Sequence, residues 1–189
     1  GVSEIGYLLL PNSLQAATSS AVAVSASVSA VISCANSTST TAFGTLTDSS
    51  VFTSTPNVSS SMSCVNAAAG CTLYVKDNGS TANPGLWNSS ASDLIPSPNA
   101  AYNATATLAA GTEGYGIQAT TTAAGSGGTL TIVPRYLQTG NTVGGFSTTT
   151  LTLASSTATS SGREVVVTHK AAISAGTAGG SYTDTITYS

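Results

Sequence analysis

Residues Ala21–Cys34 read AVAVSASVSAVISC, and this stretch decides the fold class that the sequence predicts. Apolar or small side chains occupy every even position from Val22 to Cys34, while serines occupy positions 25, 27, 29 and 33. A period of two places the two sets on opposite faces of a β-strand, one packed and one hydrated. The stretch is longer than most strands, so we expect it to bend or split near its middle.

Outward from this stretch, further alternating segments are separated by turn signals rich in glycine, asparagine and proline. About ten short strands with such spacing predict an all-β antiparallel β-sandwich, Ig-like or jelly-roll-like, over residues 21–189. The tract Leu86–Ala101 is predicted to be a long loop anchored by Trp87 and Ile95. The further strands are predicted over Thr41–Leu46, Asn57–Cys64, Cys71–Lys76, Ala104–Leu108, Tyr115–Thr121, Thr129–Gln138, Thr148–Leu153, Glu164–Ala172 and Ser181–Tyr188.

The composition argues against nucleic acid as a partner and against disorder. The net charge is −3, and the four basic residues are scattered rather than clustered as phosphate binding requires. Serine and threonine, 31 of each, make up about a third of the chain. Disordered chains with such a bias usually carry many charges, whereas only 6% of these residues are charged and β-branched residues alternate throughout. A folded domain is therefore expected.

The first ten residues, GVSEIGYLLL, are the most apolar part of the chain. They are too short to span a bilayer, which needs about 20 residues, and exposed they would aggregate. Alternation places Ile5, Tyr7 and Leu9 on one face of a strand, and Leu8 and Leu10 on the other. We predict that residues 1–20 are a donor strand with a flexible linker, docking either into a neighbouring copy or into the chain's own sheet.

The start of the chain predicts a secreted protein, and its sequons mark candidate glycosylation sites. A start at Gly1 rather than methionine is expected of a processed N-terminus whose secretory signal has been removed. No stretch of about 18 apolar residues is present, so no membrane span is expected in the mature form. Candidate glycosylation sites are the five sequon asparagines Asn36, Asn57, Asn78, Asn88 and Asn103, where chance alone predicts about three.

Three cysteines predict one disulfide and one leftover thiol. Cys64 and Cys71 flank a six-residue loop, and facing Cα atoms of a hairpin lie about 4.5–5.5 Å apart, within reach of a disulfide. This pairing is favoured, and the rival pairing of Cys34 with Cys64 stays open. The third cysteine is expected to be buried or to crosslink subunits.

The sequence predicts no catalytic, metal or cofactor site, and hence no enzyme. His169 is the only histidine and no Gly-x-Ser-x-Gly motif accompanies it. The Cys64 and Cys71 pair with one distant histidine is not a zinc pattern. The tract Asp77–Ser80 lacks the later acidic ligand of a calcium loop and is expected to be a turn. Glu113, set between glycines, is predicted either to bind a ligand or to cap a loop.

Three passages resemble known secreted β-domains. Cys34, the tract AFGTL at residues 42–46 and a strand ending in Cys64 are similar to the start of spore-coat-U-like and chaperone–usher pilin domains. The tract NAAAG at 66–70 before LYVKD at 73–77, with GTEGYG at 111–116, resembles secreted surface β-domains of bacteria. The ending, residues 178–188, resembles the last hairpin of bacterial surface modules.

These resemblances imply a secreted bacterial or archaeal pilin-like subunit that polymerises by donor-strand exchange, with Gly1–Leu10 in the donor position. In the pilin-type domains an early cysteine pairs with a later one, which implies the bridge from Cys34 to Cys64. In the surface β-domains both hairpin positions commonly hold other residues, so the presence of both Cys64 and Cys71 implies that these two pair with each other.

We therefore expect a structural subunit of an extracellular, pilus-like filament whose partner is a second copy of itself. One alternative is a monomeric cell-surface adhesin or carbohydrate-binding module that meets glycans or neighbouring surfaces, with an aromatic ring stacking on the sugar. Its candidate rings are Trp87, Tyr102, Tyr115 and Tyr136. Another alternative is a subunit of an S-layer or capsid-like lattice.

Overall fold

The computed structural model describes residue 1 and residues 23–79, 83–97 and 105–189. Within these ranges every regular element is a β-strand, which confirms the predicted all-β class. The donor residues Ile5, Tyr7, Leu8, Leu9 and Leu10 lie outside the described residues, as do Tyr102 and Asn103.

Fourteen strands follow one another along the described chain. They are β1 (Val31–Asn36), β2 (Phe52–Thr53), β3 (Val58–Val65), β4 (Cys71–Asp77), β5 (Gly85–Asn88), β6 (Asp93–Pro96), β7 (Thr105–Thr107), β8 (Gly114–Thr121), β9 (Ser126–Gly127), β10 (Thr131–Ile132), β11 (Thr142–Gly144), β12 (Leu151–Ser156), β13 (Ser160–Ala172) and β14 (Ile186–Tyr188).

Two antiparallel sheets form the sandwich. The large sheet has the order β1-β3-β13-β8-β11-β7, with the short strands β2 and β9 also paired to β13. The small sheet has the order β10-β12-β4-β14, and β5 pairs with β6 as a separate hairpin. Strands β1 and β14 are therefore edge strands, one in each sheet.

The core lies between the two sheets because each long strand turns one alternate set of side chains inward. In β3 this set contains Val58, Met62 and Cys64, and in β4 it contains Leu73 and Val75. These side chains belong to one continuous apolar cluster. A smaller cluster of Leu108, Val143 and Ala172 packs separately.

A disulfide joins Cys64 to Cys71, with the two Cα atoms 6.0 Å apart, which confirms the favoured pairing. The rival bridge from Cys34 to Cys64 is wrong, since Cys34 faces Met62 across the β1–β3 pair and its thiol is free. The expectation that the third cysteine is buried is also wrong, because Cys34 is exposed. The two bridged strands are not a hairpin, because β3 belongs to the large sheet and β4 to the small one. The disulfide therefore links the sheets at a corner of the sandwich.

Glycine is required at this corner. Gly70 has a φ of 78°, and a Cβ atom added there would lie 1.9 Å from the carbonyl oxygen of Ser156. The left-handed backbone and the close approach of a second chain segment both exclude larger residues.

Several strand predictions are wrong in extent. The predicted strand Ala21–Cys34 forms regular pairing only from Val31, because its partner β3 ends at Val65, opposite Val31. The segment Thr41–Leu46 makes only the bridge of Ala42 to Thr55, and Thr129–Gln138 is interrupted after Ile132 by a turn containing Pro134.

The predicted loop Leu86–Ala101 is wrong from Leu86 to Pro96, where the chain forms the hairpin of β5 and β6, and residues 98–101 lie outside the described residues. Its anchor Ile95 is fully buried, as expected of an anchor, while Trp87 is half-buried. At the other end of the chain, the strand predicted over Ser181–Tyr188 is regular only in β14, preceded by a bridge at Thr183.

A search of the described ranges for helices long and apolar enough to cross a bilayer finds none.

Candidate functional site: a groove at the open edge of the sandwich

A groove with a volume of about 900 Å³ runs between the free edges of the two sheets. We call it the edge groove. One rim consists of residues 38–46, which continue from β1, and the other consists of residues 177–186, which lead into β14. The rims converge where the Cys34 Sγ lies 4.0 Å from the carbonyl oxygen of Tyr188. The edge groove therefore narrows at Cys34 and opens beyond Asn36.

The rim formed by the C-terminal segment is an unpaired strand edge. Thr183 exchanges both backbone hydrogen bonds with Trp87, and the Thr185 carbonyl accepts a bond of 2.8 Å from the Asn78 amide. Ser189 in turn exchanges both of its backbone bonds with Tyr74. These odd-numbered residues thus turn their peptide groups toward the sheet.

Successive residues of a strand direct their peptide groups to opposite sides. The amides and carbonyls of Asp184 and Ile186 therefore face the edge groove, in the same direction as the Tyr188 carbonyl that meets Cys34. Within the described ranges, no strand pairs with β14 on this side. The rim presents donors and acceptors that a further extended segment would satisfy.

The floor of the edge groove is largely aromatic and apolar. Tyr115 packs against Phe43, Phe146 and His169, with ring centroids 6.1, 5.2 and 6.4 Å apart respectively. Tyr188 meets His169 edge-on, at a centroid distance of 6.5 Å. Strand alternation in β8, β13 and β14 brings together Tyr115, His169 and Tyr188, while Phe43 and Phe146 come from segments between strands.

His169 belongs to this floor. It lies on the inward face of β13, and its Nε2 is 3.1 Å from the hydroxyl of Tyr188. Its Nδ1 is buried without a hydrogen-bond partner. Burial lowers the pKa of His169 to about 4, because the charged ring is poorly solvated there. The imidazole is therefore neutral near pH 7.

Asp184 lines the edge groove, and its carboxyl group lies beside that of Asp77. Asp77 ends β4 and is fully buried, and its two oxygens accept the amides of Gly79 at 2.6 Å and Gly85 at 2.9 Å. Burial and then the charge of Asp77 raise the pKa of Asp184 to about 8, and burial also raises the pKa of Asp77. The pair therefore holds one proton near neutral pH.

The polar side chains that the sequence suggested as possible ligand-binding groups do not lie together in the structure. Glu113 caps a loop, because its Oε1 accepts hydrogen bonds from the hydroxyls of Thr177 and Ser174. In the described part of the chain, no group of three or more histidine, cysteine or acidic side chains is placed to hold a metal ion.

The rings proposed for sugar stacking are mostly hidden. Tyr115 and Tyr136 are buried, so neither offers an open face to a sugar. Trp87 is half-buried, which leaves it as the described ring with the most accessible surface among these candidates.

Three sequon asparagines are exposed on the folded chain, namely Asn36, Asn57 and Asn78. Asn88 differs because its side chain is only 1% exposed. Its Oδ1 accepts the amides of Ser90 at 3.1 Å and Ala91 at 3.2 Å, and its Nδ2 donates to the Gly179 carbonyl at 3.4 Å. The folded protein therefore does not present Asn88 as an acceptor for a glycan.

Sequence reasoning missed the edge groove itself. Its aromatic floor comes from residues far apart in sequence, and neither β1 nor β14 is marked as an edge strand by its composition. The alternation of the last residues was the available signal: Thr183, Thr185 and Thr187 are exposed, while Ile186 and Tyr188 turn inward.

Comparison of the chain with protein-family models, curated proteins and solved structures finds no match.

Proposed function

We propose that this protein is the structural subunit of an extracellular, pilus-like filament. In this proposal an N-terminal segment of one copy inserts as a strand into the edge groove of the next copy. The observation that carries the proposal is the combination of an unpaired strand edge with an apolar floor. An extended peptide satisfies both at once, because its backbone completes the sheet and its alternate side chains fill the floor.

The energetics favour an apolar inserted strand. Full burial of an aliphatic side chain stabilises by about 1.5–3 kcal/mol, and each added backbone hydrogen bond contributes about 0.5–1.5 kcal/mol. The sequence predicts Gly1–Leu10 as the inserted strand, with Ile5, Tyr7 and Leu9 facing the floor. An open hydrophobic edge is also an aggregation hazard, so its occupation by a second copy prevents uncontrolled aggregation.

The surface suits an extracellular, tightly packed polymer. Only 6% of the residues are charged, so neighbouring copies repel one another weakly. The Cys64–Cys71 disulfide is of a kind that persists in oxidising compartments. The exposed sequons at Asn57 and Asn78 leave room for glycans outside the edge groove, whereas Asn36 lines the edge groove.

Negative-stain microscopy and sedimentation velocity of the purified full chain test the proposal. We expect fibres in equilibrium with a small pool of monomer. Deletion of residues 1–30 should leave only monomers, and near-ultraviolet circular dichroism should show that they retain a packed core.

Three results would count against head-to-tail assembly. Fibres that survive the deletion place the joint elsewhere, and sheets or closed shells indicate a lattice protein. A full chain that stays monomeric at every concentration indicates that its own N-terminal segment occupies the edge groove, or that the edge groove serves another ligand.

A further inference from the structure

We infer that residues 23–32 are the part of the N-terminal segment that enters the edge groove of the next copy. This inference rests on the proposed function and replaces Gly1–Leu10 as the inserted strand. We call residues 23–32 the stem. Its first eight residues form no strand in the described chain, and its last two begin β1.

The stem exposes an apolar face that a folded domain normally covers. Val24 is 90% exposed, Val28 is 75% exposed and Ile32 is 64% exposed. These even positions belong to the apolar set of the alternating pattern, and serines occupy much of the opposite face. The pattern is that of a half-buried strand, so the stem has the sequence of a packed element without the packing.

The backbone of the stem is also nearly unpaired. Strand β3 ends at Val65, directly opposite Val31, and the chain then turns at Asn66, whose φ is 58°. Among the described residues, one hydrogen bond reaches residues 23–30, from Asn66 Nδ2 to the carbonyl of Ser29 at 3.5 Å. The stem therefore projects beyond the end of its own sheet.

The direction in which the stem projects indicates that each edge groove is filled by the stem of a second copy. The edge groove opens beyond Asn36, whereas the stem leaves β1 at Val31, at the opposite end of that strand. A strand advances about 3.3 Å per residue, so residue 23 of an extended stem lies tens of ångströms from Asn36. Residues 23–30 contain no turn that would bring the stem back to its own edge groove.

The test compares three full-length variants by their critical concentration for assembly. The double substitution Val24→Asp and Val28→Asp charges the apolar face of the stem. The matched control, Ser25→Asp and Ser27→Asp, adds the same charges to the opposite face. The third variant, Ile5→Ser, Tyr7→Ser and Leu9→Ser, removes the apolar face of the first ten residues. The substituted stem residues are exposed in the folded domain, and circular dichroism verifies the fold of each variant.

We expect Val24→Asp with Val28→Asp to raise the critical concentration at least tenfold, and the serine-face control to change it by less than about threefold. Equal effects of both stem variants, or no effect of either, would overturn the inference. If only the Ile5, Tyr7 and Leu9 variant loses assembly, the stem is excluded while the proposed function stands. If the unsubstituted chain forms no fibres, the inference and the proposed function fail together.

Discussion

At the scale of single residues, two buried titratable groups near the edge groove give the fold a defined pH dependence. The pKa of His169 is lowered to about 4 from an ordinary value of 6.5. The unfolded chain therefore binds more protons than the folded chain between these values, and stability falls as the pH drops through that window. The pKa of Asp184 is raised to about 8 from 3.8. Here the folded chain binds the extra proton, and stability falls as the pH rises from 3.8 to 8.

The opposite pH dependences of His169 and Asp184 predict that the free energy of unfolding is first nearly constant and then declines as the pH rises. Between about pH 4 and 6.5 these two slopes cancel, while the raised pKa of Asp77 adds a decline just above its ordinary value of 3.8. Above pH 6.5 the Asp184 slope is no longer opposed by His169, and it amounts to about 1.4 kcal/mol per pH unit at most. Urea unfolding from pH 4 to 9 should show a flat region followed by a loss of about 1–2 kcal/mol by pH 8.

Single substitutions separate the contributions of His169 and Asp184 to the pH dependence of stability. Asp184→Asn should remove the decline above pH 6.5 and leave stability rising from pH 4 to 6.5. His169→Gln should instead produce a continuous decline from pH 4 to 8. Asp48→Asn, at an exposed carboxylate, is the control and should keep the plateau. A decline that persists in Asp184→Asn would show that another group holds the proton.

The sequence did not reveal these roles, because the shift of a pKa depends on what surrounds the group. His169 could be identified as the only histidine, but the alternation around it did not show on which face of the strand its side chain lies. Asp77 and Asp184 are 107 positions apart and meet only because β14 pairs with β4. Asn88 shows the same limit, since a sequon has the same letters whether its asparagine is exposed or buried.

At the scale of elements, the Cys64–Cys71 disulfide fixes the corner at which the chain passes between sheets. The loop that it closes is short, so the chain-entropy model assigns it a contribution of about 2–3 kcal/mol. We expect Cys64→Ala with Cys71→Ala to lower the free energy of unfolding by that amount or more, because both side chains also belong to the core. Urea denaturation of the variant measures this loss.

Cys34→Ser is the matched control, since it removes a thiol that forms no disulfide. Its effect on unfolding should be small, because the Sγ makes only a long contact with the Tyr188 carbonyl. Partial burial raises the pKa of the Cys34 thiol, so one thiol per native chain should react slowly with a maleimide reagent. Two or three reactive thiols in the native protein would contradict the observed pairing.

The elements that the sequence predicted well are those paired on both sides. The predictions for β3, β4, β8 and β13 agree with the structure within a few residues, because central strands have one buried face along their whole length. The predicted strands that begin at Ala21 and Ser181 are longer than the observed ones. Alternation of apolar and polar residues shows that a segment can form a strand, but it does not show that a partner strand lies beside it. The stem is one such segment, since its apolar and polar residues alternate but no strand pairs with residues 23–30 in the described chain.

At the scale of the whole molecule, the edge groove predicts different hydrogen exchange in the monomer and the filament. In the C-terminal segment, the amides of Thr183 and Ser189 donate to backbone carbonyls of the sheet, at 3.0 and 3.2 Å respectively. The amides of Asp184 and Ile186 face the edge groove. We therefore expect the amides of Thr183, Thr187 and Ser189 to be protected in both states, and the amides of Asp184 and Ile186 to become protected only on assembly.

Exchange followed by NMR in the monomer, and by dissolution of exchanged filaments, measures each amide separately. The variant with Val24→Asp and Val28→Asp should show the monomer pattern at concentrations where the unsubstituted chain assembles. The amides of Thr187 and Ser189, which belong to the pairing with β4, serve as internal controls because assembly leaves that pairing unchanged. Slow exchange of Asp184 and Ile186 already in the monomer would mean that a segment of the same chain completes the sheet, and head-to-tail insertion would then have no open edge to use.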